Sequence, residues 1–101
     1  MAAGIRVGII EHLPNTRDSL ANWCRQGGMD VVGQAAFVDT ALAGWTEEPD
    51  VLLLDIGLPG ISGLEGLPRL MERYRGARVL MLTVHGDDAK LFAAIQLGAS
   101  G

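Results

Sequence analysis

The sequence predicts an α/β domain in which a parallel sheet is covered by helices on both faces. Two observations carry this. Short β-branched or leucine-rich runs alternate along the chain with longer segments of helical spacing, the order that a repeated strand-helix unit produces. The runs are apolar throughout instead of alternating with polar residues, as a strand buried on both sides requires. Right-handed crossovers then leave few topologies.

The first run, Ile5 to Ile10, gives way to the polar pair Glu11-His12. Pro14 suits the first turn of a helix and Gly27-Gly28 stops it; between them Leu20, Trp23 and Cys24 share one helical face. Asp30 to Val32 is the second run, and Ala41, Leu42 and Trp45 supply the apolar face of a second helix. The third run, Val51-Leu52-Leu53-Leu54, closes on Asp55 and meets the breaker-rich stretch Ile56-Gly57-Leu58-Pro59-Gly60. Ser62 followed three residues later by Glu65 is a capping-box pattern at a third helix. Pro68 falls inside that helix, where a proline costs about 3 kcal/mol or forces a kink, so a bent or late-starting helix is expected. Val79 to Thr83 is the fourth run. Leu91, Ala94 and Ile95 share a face of a fourth helix, which Gly98 can end.

Composition narrows the function classes. With 101 residues the chain is expected to be one domain, spanning 1–101, with one core; 49% of it is hydrophobic. Twelve acidic against eight basic residues give a net charge of −4, and no basic stripe appears, which argues against nucleic-acid contact by this segment. Cys24 is the only cysteine, so an internal disulfide is excluded and a small buried side chain is expected. Met1-Ala2-Ala3-Gly4 leads into a short apolar segment containing Arg6, too short for a signal peptide's apolar core and far below membrane-spanning length, and a cytoplasmic location is expected.

In an open parallel sheet the ends where strands feed into helices face a common crevice. Glu11 and His12 follow the first run, Asp55 closes the third and Thr83 finishes the fourth. Alone, Asp55 could be a turn former, Thr83 a β-former and Glu11-His12 a solvated strand exit. Together they suit transfer of a phosphoryl group onto Asp55, because a carboxylate attacking phosphorus gives an acyl phosphate. Such an attack needs a divalent cation and hydrogen-bond donors around the phosphoryl oxygens, so oxygen ligands for Mg²⁺ are expected beside the nucleophile.

The order of residues resembles the receiver domain of bacterial two-component response regulators. Leu53-Leu54-Asp55-Ile56-Gly57-Leu58-Pro59-Gly60-Ile61-Ser62-Gly63-Leu64 is similar to the family's phosphoacceptor segment, and Val79-Leu80-Met81-Leu82-Thr83-Val84-His85 to its switch-threonine strand. Ile5 to Pro14 matches the first strand and acidic turn, and Leu97-Gly98-Ala99-Ser100-Gly101 the family's glycine-alanine turn. The wording is most similar to the branch whose receivers precede a helix-turn-helix DNA-binding domain.

The resemblance implies a flavodoxin-like doubly wound sheet of order 2-1-3-4-5. It implies that Asp55 accepts a phosphoryl group from a phosphohistidine of a sensor histidine kinase. Glu11 and the backbone carbonyl of Gly57 would join Asp55 in holding Mg²⁺, and Thr83 would bond a phosphoryl oxygen and move with its loop. Any DNA contact would belong to a C-terminal domain. Two departures stand out. His12 occupies the place of a carboxylate that ligates Mg²⁺ in the family; imidazole suits transition metals better, so weakened Mg²⁺ affinity is expected. The family's fifth strand, its loop lysine and its last helix fall beyond Gly101, so a receiver incomplete at its C-terminus is expected, with a bare sheet edge and a homodimer as one way to cover it. Lys90, the only lysine, is expected to be a solvated helix residue.

Other readings use the same residues. A pseudo-receiver would keep the fold and act as a protein-interaction module without phosphorylation, a reading that His12 raises. A phosphohydrolase built on a strand-end aspartate typically carries a second aspartate two residues on, where this chain has Gly57. A dinucleotide-binding half-domain would need a Gly-x-Gly-x-x-Gly turn after the first strand, and none is present. The chain is therefore read as a signalling switch and not as an enzyme.

Overall fold

A computed structural model describes residues 4–55, 63–82 and 95–101. Four strands alternate with three helices: β1 (Arg6–Ile10), α1 (Pro14–Gln26), β2 (Asp30–Ala35), α2 (Val38–Gly44), β3 (Val51–Asp55), α3 (Gly63–Arg73) and β4 (Arg78–Leu82). All strands run parallel, in the order β2-β1-β3-β4. The chain first adds β2 on one side of β1 and then crosses to the other side for β3, which puts the switch point between β1 and β3.

The apolar strands are explained by two cores, one on each sheet face. Val7, Ile9 and Leu53 point to the side packed by Ala21 and Cys24 of α1. Ile10, Leu52, Leu54, Val79 and Met81 point to the other side, against Val38 and Ala41 of α2 and Leu67 and Leu70 of α3. Successive residues of one strand thus enter opposite cores, as the pleat demands. Cys24 is a buried free thiol, as expected.

Three local expectations change. Trp23 does not share the buried face of α1: it is 67% exposed, and Ala21 takes the inward place beside Cys24 and the half-buried Leu20. Scattered exposed hydrophobics are ordinary on a folded surface. The second strand continues to Ala35 instead of stopping at Val32. Its register against β1 slips between Val7 and Gly8, leaving Val32 as an extra residue and setting Gly8 opposite Gly33. Trp45, from the C-cap of α2, lies over both glycines: a Cβ built on either would stand 2.5 Å from its indole. Gly33 is thus the floor beneath an aromatic ring. Third, the outer edge of β4 is not bare, since Ser100 donates its N–H to the Val79 carbonyl (2.8 Å) and the Met81 N–H donates to the Gly101 carbonyl (2.6 Å). Apolar surface is nonetheless exposed nearby at Leu80, Ile95 and Leu97.

Helix punctuation follows the sequence closely. Pro14 is at the start of α1 and Gly27 caps its end, with Gly28 at φ +83° completing the turn. α3 contains Pro68 but already begins at Gly63, so it does not start late; position 68 has no N–H to donate to the preceding turn. Gly98, at φ +117°, donates its N–H to the Ile95 carbonyl and closes the turn after helical residues 95–96. Ser62, the other half of the expected capping box, lies outside the described residues, as do Lys90, Leu91 and Ala94.

Trp45 and Tyr74 tie α2 to α3. Their ring centroids are 5.9 Å apart, and the buried Tyr74 hydroxyl donates to the Ala41 carbonyl at 3.1 Å. That carbonyl also receives the Trp45 N–H, so an otherwise orphaned acceptor in the last turn of α2 is satisfied twice.

Candidate functional site

The C-terminal ends of β1 and β3 lie side by side, with Ile10 in register with Leu54. The next residue on each strand is acidic. Glu11 continues the β1–β2 ladder through its N–H to the Ala35 carbonyl (3.0 Å), and only 5% of its surface is exposed. Asp55 is the last residue of β3 and is 9% exposed. Strand backbone thus holds two carboxylates at the switch-point crevice, where neither can withdraw into bulk solvent.

His12 completes the cluster. Its Nδ1 lies 3.2 Å from Asp55 Oδ2 and 3.7 Å from Glu11 Oε1, with about a third of the side chain exposed. When Nδ1 carries the proton, the Asp55 contact is a hydrogen bond donated by the imidazole. One ligand atom from each of Glu11, His12 and Asp55 lies within 4.8 Å of the others; among the described residues this is the only trio of metal-ligating side chains so placed.

Glu11 is fixed twice more. Its Oε1 accepts the Leu13 N–H at 3.2 Å, and its main-chain carbonyl accepts Nη1 of Arg17 at 2.8 Å. Burial pushes the Glu11 carboxyl above the usual glutamate range; the Leu13 amide works against this, and the Asp55 carboxylate adds to the rise. Two crowded, largely desolvated carboxylates favour a proton or a cation between them. Arg17 was not singled out by the sequence. Its signal is weak, a cation in the first turn of the helix after an acidic strand exit, and its role is to hold the backbone that presents Glu11.

The structure therefore brings together three of the residues predicted for the site, Glu11, His12 and Asp55. Gly57 and Thr83 lie outside the described residues. Asp55 is in register with Leu82, the residue before Thr83 in the sequence. The donor set is mixed: the carboxylates of Glu11 and Asp55 are the oxygen ligands that a hard Mg²⁺ ion takes, and the imidazole of His12 is not.

A parallel sheet of order 2-1-3-4 with an acidic pair at the switch point defines a class of small α/β domains that carry a strand-end aspartate. The family model of the response regulator receiver domain matches residues 7–101. The chain belongs to this family, a family of signalling domains. It is 40% identical over 53 residues to the transcriptional regulatory protein DegU of Brevibacillus brevis, covering 52% of this chain and 22% of the relative. It superposes with a TM-score of 0.82 on the signal receiver domain of the response regulator NarL from Mycobacterium tuberculosis, at 30% identity, over 97% of this chain and 81% of that one. A response regulator from Burkholderia pseudomallei, solved with a phosphorylated aspartic acid, a calcium ion and citrate, matches at a TM-score of 0.83 and 29% identity, over 94% of this chain and 56% of that one. The chain spans roughly a fifth to a third of the length of curated relatives such as DegU and the response regulator GacA of Pseudomonas viridiflava. No helix among the described residues is long and apolar enough to cross a membrane.

Proposed function

We propose that this domain is a phosphoaccepting switch, with Asp55 as the acceptor of a phosphoryl group from the phosphohistidine of a sensor histidine kinase. The observation that carries the reading is the placement of Asp55: a carboxylate at the end of a central strand, beside a second buried carboxylate, at the sheet's switch point. The phosphorylated aspartic acid in the Burkholderia pseudomallei relative supports it.

In the transfer, a carboxylate oxygen of Asp55 bonds to phosphorus while the phosphorus–nitrogen bond of the donor breaks and its electron pair returns to the donor imidazole. Glu11, Asp55 and the carbonyl of Gly57 would hold a divalent cation, Mg²⁺ in the family's usual chemistry, which offsets negative charge on the phosphoryl oxygens. Leu13 and Arg17 hold the side chain and backbone of Glu11 beside the incoming group. Thr83, one residue past the partner of Asp55 in β4, would donate its hydroxyl to a phosphoryl oxygen once transfer is complete. A segment reordered around that new charge changes the surface offered to a partner.

The switch would serve a cytoplasmic response regulator that controls transcription through a C-terminal helix-turn-helix domain; the name of the DegU relative supports the transcription role. The chain's net charge of −4 suits a segment that leaves DNA contact to another domain. Self-association of two copies is the corresponding proposal for how the switch reports. The test is incubation with a small-molecule phosphodonor and Mg²⁺, read by intact mass. Gain of one phosphoryl group by the native protein and none by Asp55→Asn is the expected result. No gain in either would replace this reading with that of a phosphorylation-independent interaction module.

A further inference from the structure

The cluster Glu11–His12–Asp55 has a consequence beyond phosphoryl transfer, and it rests on the reading above only in sharing that site. From the donor atoms and their spacing, we infer that this trio is a mixed nitrogen–oxygen site that prefers a borderline transition-metal dication, such as Zn²⁺ or Co²⁺, to Mg²⁺.

The first support is donor chemistry. Imidazole nitrogen is a good ligand for Zn²⁺, Co²⁺ and Ni²⁺ and a poor one for Mg²⁺, which takes oxygen and sheds water reluctantly. Zinc takes both His nitrogen and Asp or Glu oxygen, and three protein ligands leave a fourth position for water or substrate.

Geometry is the second. His12 turns Nδ1, not the far edge of its ring, toward both carboxylates, at 3.2 Å from Asp55 Oδ2 and 3.7 Å from Glu11 Oε1. Donors sharing one tetrahedral ion at zinc bond lengths stand roughly 3.3–3.6 Å apart, whereas neighbouring donors of an octahedral Mg²⁺ ion stand at roughly 2.8–3.0 Å. The two His12 spacings bracket the first range and exceed the second, and all three donor atoms lie within 4.8 Å of one another.

The third is preorganisation. Glu11 is buried and held by Leu13 and Arg17, and β3 places the Asp55 backbone beside it, so the strand ends bring two donors together before an ion arrives. His12, the most exposed of the three, has room to complete the shell.

The test is calorimetric titration of the metal-free protein with Zn²⁺ and, separately, with Mg²⁺, together with the visible spectrum of the Co²⁺ form, in the native protein, His12→Asp and His12→Ala. The expected result is one Zn²⁺ site bound at least on the order of tenfold more tightly than Mg²⁺, and Co²⁺ bands of a low-coordinate nitrogen–oxygen site. Both His12 variants should lose on the order of tenfold in Zn²⁺ affinity, and His12→Asp should gain Mg²⁺ affinity. Circular dichroism confirms that the variants are folded. Equal affinities for Zn²⁺ and Mg²⁺ in the native protein, or Zn²⁺ binding unchanged in both variants, would overturn the inference. Phosphoryl uptake is scored separately by mass. A protein that prefers Zn²⁺ but takes up no phosphoryl group keeps this inference and loses the phosphoacceptor reading; one that takes up phosphoryl in Mg²⁺ without preferring Zn²⁺ does the reverse.

Discussion

Nδ1 of His12 lies 3.2 Å from Oδ2 of Asp55, a contact between residues 43 positions apart. It is made because β1 and β3 are neighbours in the sheet and both end at the same level, Ile10 against Leu54. The imidazole thus touches the carboxylate proposed to accept phosphate, on the side where a cation would also bind. His12 should therefore govern how readily Asp55 reacts.

Replacing that imidazole with a carboxylate should favour phosphoryl uptake in Mg²⁺. His12→Asp is expected to raise the initial rate, on the order of tenfold, at limiting Mg²⁺. Stopped time courses with a small-molecule phosphodonor, across a Mg²⁺ series, measure this. A rate equal to or below that of the native protein would show that His12 does not restrain the site.

Glu11 should cost stability while serving the site. Its carboxyl is pushed up by burial and by Asp55, so the folded state favours the protonated form. With the folded pKa above the unfolded value of about 4.3, the favourable contribution is complete below that value and is lost as pH rises through the folded pKa. Glutamine keeps an acceptor for the Leu13 N–H and removes the charge. Glu11→Gln should raise the melting temperature of the metal-free protein near neutral pH, and the advantage should shrink on acidification from neutral pH toward the unfolded glutamate value. Thermal unfolding in chelator across that range checks both the sign and the trend.

Trp45 is buried against the β1–β2 ladder. Gly8→Ala and Gly33→Ala each place a methyl 2.5 Å from the indole, and each should destabilise by about 1–3 kcal/mol. Because both act on one ring, combining either with Trp45→Leu should give clearly less than the sum of the separate losses. Urea unfolding of the single and double variants measures the coupling.

Tyr74→Phe removes the hydroxyl bound to the Ala41 carbonyl but leaves that carbonyl its bond from the Trp45 N–H. The loss should be near that of one ordinary hydrogen bond, about 1 kcal/mol, without the larger penalty of a stranded buried acceptor. For a domain of this size that lowers the melting temperature by roughly 4–8 °C, readable by circular dichroism.

Strands that enter two cores are apolar on both sides, so Val7 to Ile10 and Val51 to Leu54 announced a parallel sheet without any structure. The second strand runs past the apolar segment Asp30 to Val32, through Gly33 and Gln34 to Ala35. What makes Gly33 a strand residue is an indole twelve positions away, beyond the reach of any local pattern. Trp23 misled for the opposite reason: its spacing from Leu20 and Cys24 is helical, but Ala21 sits equally well on that face and is the residue turned inward. At the site, Glu11, His12 and Asp55 were legible because strand ends are predictable positions in such a sheet. Arg17 was not, since its bond goes to a backbone carbonyl, which carries no residue-specific signal.

The most direct measurement of the central claim is chemical trapping of the modified residue. After exposure to a phosphodonor and Mg²⁺, the protein is reduced with borohydride, which converts an aspartyl phosphate to homoserine, and is then mapped by peptide mass spectrometry. The account predicts homoserine at position 55 in the native protein and at no other aspartate. Unmodified Asp55 in a folded protein, or trapping at a different carboxylate, would contradict it.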